Sequence, residues 1–520
     1  FVEQNNAQGG SFSMPCEMNL SATVQSLEEG NARVHVSVNI DASQRFHANL
    51  CLVIDVSGSM QLPAALKDRE ATELSILDIV VHSCRTVIHS LTADDCLAIV
   101  TYSDAARVVL PLTPMDDNGK AAAEASLKTL RADGQTNLWQ GLETALDLLH
   151  AGQRGGSLSS ALLLTDGVPN VEPPGGHMEA LERYKAAKGG KQLPCTLHTF
   201  GFGNDLDSKL LDDLAGASGG CYVFIPDAGF VGTALVNCTA CAVTSAGRNA
   251  HLNLEGATVT HCWGYADCHA GVVALGALQL GQSKDVVLDI QIPSESEETR
   301  LKLQLSFDGP DGPESQEVQI TFATSDDAQL RRLQTVELLR ELVGLKEDEL
   351  AEAREKVRSF VEMLSSAGGG APSALLEDVQ GQVAEAVSRE DWYRSWGAHY
   401  LRSLSRAHLA QICNNFKDPG VQNYGGELFR EVRDLADEIF LKLPPPNPAV
   451  RSNVEMLIAM GFPEDEAQRA LDYAYNNVEQ AATYLMEGMP THRPAVRPRL
   501  APTPASRVVD MSAYYDASGG

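Results

Sequence analysis

Nowhere do these 520 residues offer an apolar run approaching the roughly 20 residues that a helix needs to cross a bilayer. No membrane span is therefore expected. Basic residues are also scarce: Lys and Arg number 40 against 69 Asp and Glu, a net charge of −29 with a pI near 4.8. That balance argues against a nucleic-acid partner and against an anionic membrane surface. No signal peptide is visible, and because the chain opens on Phe1, residues preceding it are expected. Cysteine spacing of a tight zinc finger is missing too. The eleven cysteines are scattered, and Cys51, Cys96 and Cys221 sit in apolar strand patterns, which suits reduced thiols in a cytoplasmic protein. Cys238 and Cys241, followed by Cys262 and Cys268 with His261 and His269 nearby, fit no finger spacing, and the first two lie in a helix-like stretch, so zinc is disfavoured. Asn19-Leu-Ser and Asn237-Cys-Thr match the glycosylation pattern and are read as accidental.

What is present centres on Cys51-Leu52-Val53-Ile54-Asp55-Val56-Ser57-Gly58-Ser59-Met60. The run Leu50–Ile54 reads as a buried parallel strand. At its carboxyl end, where open α/β sheets bind ligands, stand an acid and two hydroxyls at alternate positions. Oxygen donors of this kind suit a hard cation. A second loop, Ala132-Asp133-Gly134-Gln135-Thr136-Asn137-Leu138, opens a helical pattern, and a third, Ala161-Leu162-Leu163-Leu164-Thr165-Asp166-Gly167, is again an apolar strand ending in an acid. Taken singly, Asp55, Thr136 and Asp166 could each be a helix cap.

Together, Asp55, Ser57, Ser59, Thr136 and Asp166 resemble the metal-ion-dependent adhesion site of von Willebrand factor A domains. The resemblance implies Mg²⁺ (or Mn²⁺), held directly or nearly so by the three hydroxyls and directly or through water by the two acids. It also implies a position left for the carboxylate of a partner protein. No nucleophile with an adjacent base stands beside these residues, and His82 and His89 fall on the following helical pattern. Metal-assisted hydrolysis is therefore a weak reading, and no enzyme is expected in these residues.

Residues 47–245 alternate strand and helix, which implies a doubly wound, Rossmann-like sheet. The strand Leu97–Tyr102 is followed by an edge partner over Ala106–Leu112, and helices fit Glu73–Leu91, Ala121–Leu130, Leu138–Ala151, Glu179–Ala187 and Leu206–Gly216. Two stretches before this block, Leu20–Gln25 and Ala32–Ile40, alternate with period two. So do His251–Leu254, Thr258–Trp263, Val272–Leu275, Asp285–Ile292, Arg300–Phe307 and Glu317–Phe322 after it. An isolated hairpin is marginal in water. The expectation is therefore one β-sandwich from residues 1–46 and 246–325, with the α/β domain inserted between them. A helical region is expected over 326–442, as one long stretch Asp326–Ser365 and a second from Ala374 to Asn415.

The segment Trp396–His408 with Asn415–Gly426 resembles the region after the A domain in eukaryotic proteins that join such a domain to a Hedgehog/intein-type (Hint) autoprocessing domain. A more distant likeness is to plant ubiquitin ligases with a RING finger ahead of an A domain. No RING pattern occurs here, so ligase activity is not carried over. His399, His408 and Lys417 read as packing or capping residues in this setting rather than as catalysts.

A proline-rich linker over 443–450 leads to Asn453–Pro463 and Asn476–Met486, whose periodicity gives three short helices over 451–488. The pattern looks like a ubiquitin-associated (UBA) domain. That resemblance implies an apolar ubiquitin-docking patch from Met460, Gly461, Phe462, Leu485 and Met486. The other reading is that Met460 and Leu485 are simply core. The tail, 489–520, reads as disordered. It ends in Gly519-Gly520, at the place where the autoprocessing proteins it resembles begin their processing domain, so the chain is expected to be an N-terminal processing product. The function expected is a Mg²⁺-dependent adaptor that binds an acidic protein partner and ubiquitin or ubiquitinated proteins. The alternatives are a scaffold part of a ligase or autoprocessing enzyme whose catalytic domain lies outside these residues, or a structural protein with a dead metal site.

Overall fold

The computed structural model describes residues 17–487 except 28–29, 42, 65–73, 154, 191, 266–267, 270, 293–300, 324–326, 347–348, 367–372, 416, 445–456, 459, 461 and 474–477. The strands in chain order are β1 Glu17–Ser26, β2 Asn31–Asp41, β3 His47–Asp55, β4 Cys96–Tyr102, β5 Ala106–Pro114, β6 Ser157–Thr165, β7 Thr196–Phe202, β8 Tyr222–Ile225, β9 Ser245–Glu255, β10 Thr258–Cys262, β11 Cys268–His269, β12 Val272–Gln279, β13 Lys284–Gln291, β14 Lys302–Gly309, β15 Gly312–Glu317 and β16 Gln319–Phe322.

Six of them form the central sheet in the order β5-β4-β3-β6-β7-β8, parallel except for the antiparallel edge strand β5. Its middle strands are apolar throughout because both faces are covered: Leu50, Leu52, Leu162 and Leu164 point to one core, Cys51, Val53, Ala161 and Leu163 to the other. The covering helices are α1 Ile76–Ser90, α2 Asp117–Leu127, α3 Leu138–Ala151, α4 His177–Ala187, α5 Ser208–Gly216 and α6 Val231–Val243. Their starts follow local chemistry. Ser75 and Asp78 form a reciprocal capping box on α1, and Asp116, Asn137 and Asp207 accept backbone N–H bonds at the starts of α2, α3 and α5, each satisfying a donor that the first turn leaves without an intrahelical partner.

The remaining strands make two five-stranded sheets, β10-β13-β2-β1-β16 and β11-β12-β9-β14-β15, packed on a shared apolar core. The strands that precede the α/β domain thus pair with strands that follow it, β2 with β13 and β1 with β16. The domain's two ends meet: Gly281 N donates to Ile40 O at 2.8 Å and Leu280 N to Thr244 O at 2.9 Å. Ends brought together by one turn let an insertion leave the host sandwich intact. Glu317–Phe322, read as one strand, is instead the end of the hairpin β14–β15 and then β16. Asp311-Gly312 supplies the turn, with Gly312 at φ +133.

The expected single helix over Asp326–Ser365 is two, Ala328–Gly344 and Leu350–Ser366. The second stretch widens at Val379–Val383 and at Tyr393–Gly397, breaks between them at 387–389, and its last helix, Ala398–Ala410, stops at Gln411 in a left-handed conformation. That helix fastens the units together. Ser403 Oγ donates to Tyr222 O at 3.1 Å and accepts from Phe224 N at 3.2 Å, so a helix side chain satisfies the open edge of β8. Arg406 pairs with Asp212 at 2.7 Å. A further helix, Glu427–Lys442, packs on α1 and α6, and its Phe440 ring lies 5.0 Å from the His82 ring. His82 is therefore a packing residue.

At the C-terminal end, helices Glu464–Tyr473 and Val478–Glu487 bury Leu457, Ala467, Ala470, Leu471, Ala481 and Ala482 as a small core. Residues 451–456, on which most of the expected first helix falls, and most of the proline linker lie outside the described residues, as does the tail.

Candidate functional site

The five metal-site residues come from three loops at the carboxyl end of the central sheet. Parallel strands β3 and β6 lie side by side, so the acids that follow them arrive together. Asp55 Oδ1 accepts from Ser57 N at 2.8 Å, which folds the first loop back over its own strand. Ser57 Oγ and Ser59 Oγ lie 3.2 Å apart, and Ser59 Oγ donates to Asp166 Oδ1 at 2.8 Å. The second loop is tied to the first by Gly58 N donating to Gly134 O at 3.1 Å and Asp133 N donating to Val56 O at 2.8 Å. Gly134 is at φ +81, where a side chain is strained, and a Cβ there would stand 2.9 Å from the Asp104 carboxylate. Thr136 is fixed to the third loop: its N–H donates to Asn170 Oδ1 at 2.8 Å, and Asn170 N donates back to Thr136 O.

Three residues that the sequence reading passed over complete the frame. Thr165 Oγ1 donates to Asp55 Oδ2 at 2.7 Å. Tyr102, fully buried, lies opposite Asp55 in the β3–β4 register and donates to Leu164 O. Asn170 holds Thr136. A signal existed for Tyr102, the last residue of β4, whereas the bond from Thr165, the last of β6, depends on the β3–β6 register. For Asn170, in an irregular loop, no signal existed.

Asp55, Ser57, Thr136 and Asp166 are all buried. Burial raises the Asp55 carboxyl above its usual range, against the hydrogen bonds from Ser57 and Thr165 that lower it. Burial likewise pushes Asp166 up to about 6, with the Asp55 charge adding to the rise and the Ser59 bond opposing it. Both acids find hydroxyls and backbone amides as partners, and among the described residues no Lys or Arg pairs with either. Two buried carboxylates with no cationic partner leave negative charge that a divalent cation would offset. Two carboxylates and three hydroxyls are also the hard oxygen donors such an ion takes. The residues present therefore fit Mg²⁺ or Mn²⁺, and Asp55, Ser57, Ser59, Thr136 and Asp166 are the ones that would hold it.

Zinc is a different matter. Among the described residues no group of three or more His, Cys, Asp or Glu is placed to hold a metal ion. Cys238 and Cys241 are buried in α6, and Cys262 lies in the sandwich core.

His399 and His408 are taken up by the fold. His399 Nε2 lies 3.1 Å from Asn204 O, and His408 Nδ1 lies 2.8 Å from Tyr424 OH with Asp378 on its other side. Lys417 sits over the Phe230 ring at 4.3 Å.

In the C-terminal unit, Met460 is 59% exposed and Met486 71%. Phe462 and Leu485 are partly buried against the small core, and Gly461 lies outside the described residues. Ile458, 40% exposed, adds an apolar side chain that the sequence reading missed. So small a bundle leaves apolar surface open, and such patches mark partner sites.

Comparison with known proteins follows the same division. Residues 49–232 match the von Willebrand factor type A domain, 371–438 the region described as VWA / Hh protein intein-like, and 450–485 the UBA/TS-N domain. The uncharacterized protein YfbK of Escherichia coli is 31% identical over 179 residues, 34% of this chain and 28% of that protein. The E3 ubiquitin-protein ligase WAV3 of Arabidopsis thaliana is 26% identical over 292 residues, 54% of this chain and 35% of that protein. The chain thus spans about a third of each of these relatives. Among solved structures, a von Willebrand factor type A protein from Catenulispora acidiphila superposes with a TM-score of 0.51 at 19% identity, covering 70% of this chain and 89% of that one. The ArnB paralog VWA2 from Sulfolobus acidocaldarius gives 0.50 at 15% identity, covering 76% and 98%. These two show the fold. The chain carries a von Willebrand factor A domain, the intein-linked region that accompanies such domains, and a UBA domain.

Proposed function

We propose that this chain, which joins a von Willebrand factor A domain to a UBA domain, is a non-enzymatic adaptor that captures an acidic residue of a protein partner through a bound Mg²⁺ (or Mn²⁺) and engages ubiquitin at its other end. The observation that carries the metal half is the pair of buried carboxylates, Asp55 and Asp166, linked through Ser57 and Ser59 and left without a cationic partner among the described residues. When bound, the cation supplies a Lewis-acidic position for an incoming carboxylate. The chain's own part is to fix three hydroxyls and two acids around it.

The ubiquitin half rests on the exposed Met460 and Met486 beside Phe462 and Leu485. A cytoplasmic location belongs to the same proposal, since ten described cysteines stand as free thiols, as a reducing compartment keeps them. The ligase WAV3 is a relative over about half of this chain, which favours a second reading in which the adaptor serves ubiquitin transfer carried out by residues or proteins outside these domains. That the chain is the N-terminal product of an autoprocessing parent is also part of the proposal, supported by the intein-like match over 371–438. Mass spectrometry of the natural C-terminus tests it, and a natural chain that continues uncleaved past Gly520 overturns it.

The test of the metal half is calorimetric titration of Mg²⁺ into metal-stripped protein and into the Asp55→Ala/Ser57→Ala variant. Heat from the first and none from the second supports a working site. No heat from either leaves the A domain as a scaffold.

A further inference from the structure

Between α3 and α4 lies an open cleft, on the opposite face of the central sheet from the core that receives the Glu427–Lys442 helix. Trp139 gives it aromatic surface, while Tyr184 is buried with Lys188 Nζ over its ring at 5.4 Å; Pro173 and Pro174 form part of its wall, and Glu143 and Glu172 line it as well. Two cations reach it, but both are already engaged: Lys188 pairs with Asp147 at 2.7 Å and Arg183 with Glu179 at 2.6 Å. Glu143 and Glu172 make no ion pair among the described residues. The cleft therefore offers the aromatic surface of Trp139 and two acids without an ion-pair partner among the described residues.

That chemistry suits one kind of occupant. A proline-rich segment is held extended before it binds, so it loses little entropy on entering an aromatic-lined groove. An arginine on such a segment both pairs with a carboxylate and stacks on an aromatic face. The chain itself contains the match. Arg493-Pro494-Ala495-Val496-Arg497-Pro498-Arg499-Leu500-Ala501-Pro502-Thr503-Pro504 carries three arginines and four prolines with no acid, in a protein of net charge −29.

We propose that this chain's own proline- and arginine-rich segment 493–504 docks in the α3–α4 cleft, its arginines meeting Glu143 and Glu172. The cleft would then be a peptide-docking site separate from the metal site. The two adjoin, because the loop that carries Asp166 and Asn170 continues into the cleft wall at Pro173 and Pro174.

Trypsin reads the docking directly in the full chain. It cuts after arginine but not before proline, so Arg499–Leu500 reports on the docked segment and Arg507–Val508 on the chain beyond it. The comparison is between wild type and Glu143→Gln/Glu172→Gln. Neither side chain is in an ion pair among the described residues, and matched melting curves would confirm that the variant folds. Docking predicts that the variant is cut at Arg499 at least about fivefold faster than wild type, a modest electrostatic effect summed over two pairs, while the Arg507 bond is cut alike in both. An excess of a synthetic peptide of residues 491–506 carrying Leu500→Pro, which leaves trypsin no bond to cut, should remove the wild-type protection, and an arginine-free proline peptide of equal length should not.

Equal cutting at Arg499 in wild type and variant overturns the proposal. So does displacement by the arginine-free peptide, which would make the cleft a general polyproline site. Protection that disappears on dilution would assign the segment to a second copy of the chain and overturn docking within one molecule.

Discussion

Ser59 Oγ donates to Asp166 Oδ1 at 2.8 Å, a single bond that closes the first loop of the site on the third across 107 positions of sequence. It holds a buried carboxylate in place beside a second one, Asp55, with hydroxyls as the neighbours that soften the repulsion. If the proposed cation binds there, it offsets the repulsion between the two acids. Asp166→Asn keeps the shape and removes one charge. It should leave the metal-free protein as stable as wild type or slightly more so, and should abolish stabilisation by Mg²⁺. Wild type at about 100 times Kd should gain about 2.7 kcal/mol. Thermal melts with Mg²⁺ and with chelator check both arms, and a Mg²⁺ shift that survives in the variant would remove Asp166 from the ligand set.

The C-terminal patch makes a separable prediction. Met460 is exposed whereas Leu471 is 1% exposed. Met460→Lys should weaken ubiquitin binding at least about tenfold, because it puts a charge into a small apolar contact, with helicity unchanged. Leu471→Ala should instead cost about 2–5 kcal/mol of stability through the cavity it leaves. Ubiquitin titration and circular dichroism on both variants separate binding from folding. If Met460→Lys binds as wild type does, the exposed methionine is surface only.

The convergence of Asp55 and Asp166 was legible because each ends an apolar strand, and acids at the ends of adjacent parallel strands come together. That β1 and β2 join the later strands was legible for a related reason: two period-two strands cannot stand alone, and the later strands were the available partners. Which strand pairs with which was not legible. What the sequence hid was of two kinds. Thr165 reads as part of an apolar run until β3 and β6 are laid side by side, so its bond to Asp55 depends on register. The breaks at 345–349 and at 387–389 went unread because apolar residues continue on both sides of each, although Gly344 marks the end of the first helix. The turn residues Asp311-Gly312 did announce β15, and they went unread because the strand pattern after them is polar.

Lys284 gives a pH prediction of one sign. Its Nζ is buried against β13 and donates to Ala410 O at 2.9 Å and Leu409 O at 3.3 Å, capping the carbonyls at the end of the Ala398–Ala410 helix. Burial, with Arg332 and Arg406 nearby, pulls its pKa down from 10.5 to about 7. Between those two values the unfolded chain holds a proton that the folded chain has released. Stability from this group therefore rises with pH across that window, by about 5 kcal/mol in the limit, and the full penalty is present below about pH 7. Lys284→Met should flatten that rise. Urea unfolding of wild type and variant at pH 7 and at pH 9 measures it, and identical slopes would show that the ammonium is not the group responsible.

Asp418 gives the opposite sign in a lower window. It accepts from Tyr400 OH at 2.8 Å and from Asn415 Nδ2 at 2.9 Å. Burial, reinforced by the neighbouring Asp378, pushes its pKa from 3.8 up to about 7. Here the folded chain keeps a proton that the unfolded chain has lost, so stability from this group falls as pH rises from about 4 to about 7, by about 4 kcal/mol in the limit. Asp418→Asn mimics the neutral acid, with an acceptor and a donor in the same places. The variant should match wild type near pH 4 and exceed it in stability near pH 7. The difference should build up within the Asp418 window and not within the Lys284 window. A variant less stable than wild type at pH 7 would mean that Asp418 is charged in the folded protein and that Tyr400 and Asn415 are there to hold the anion.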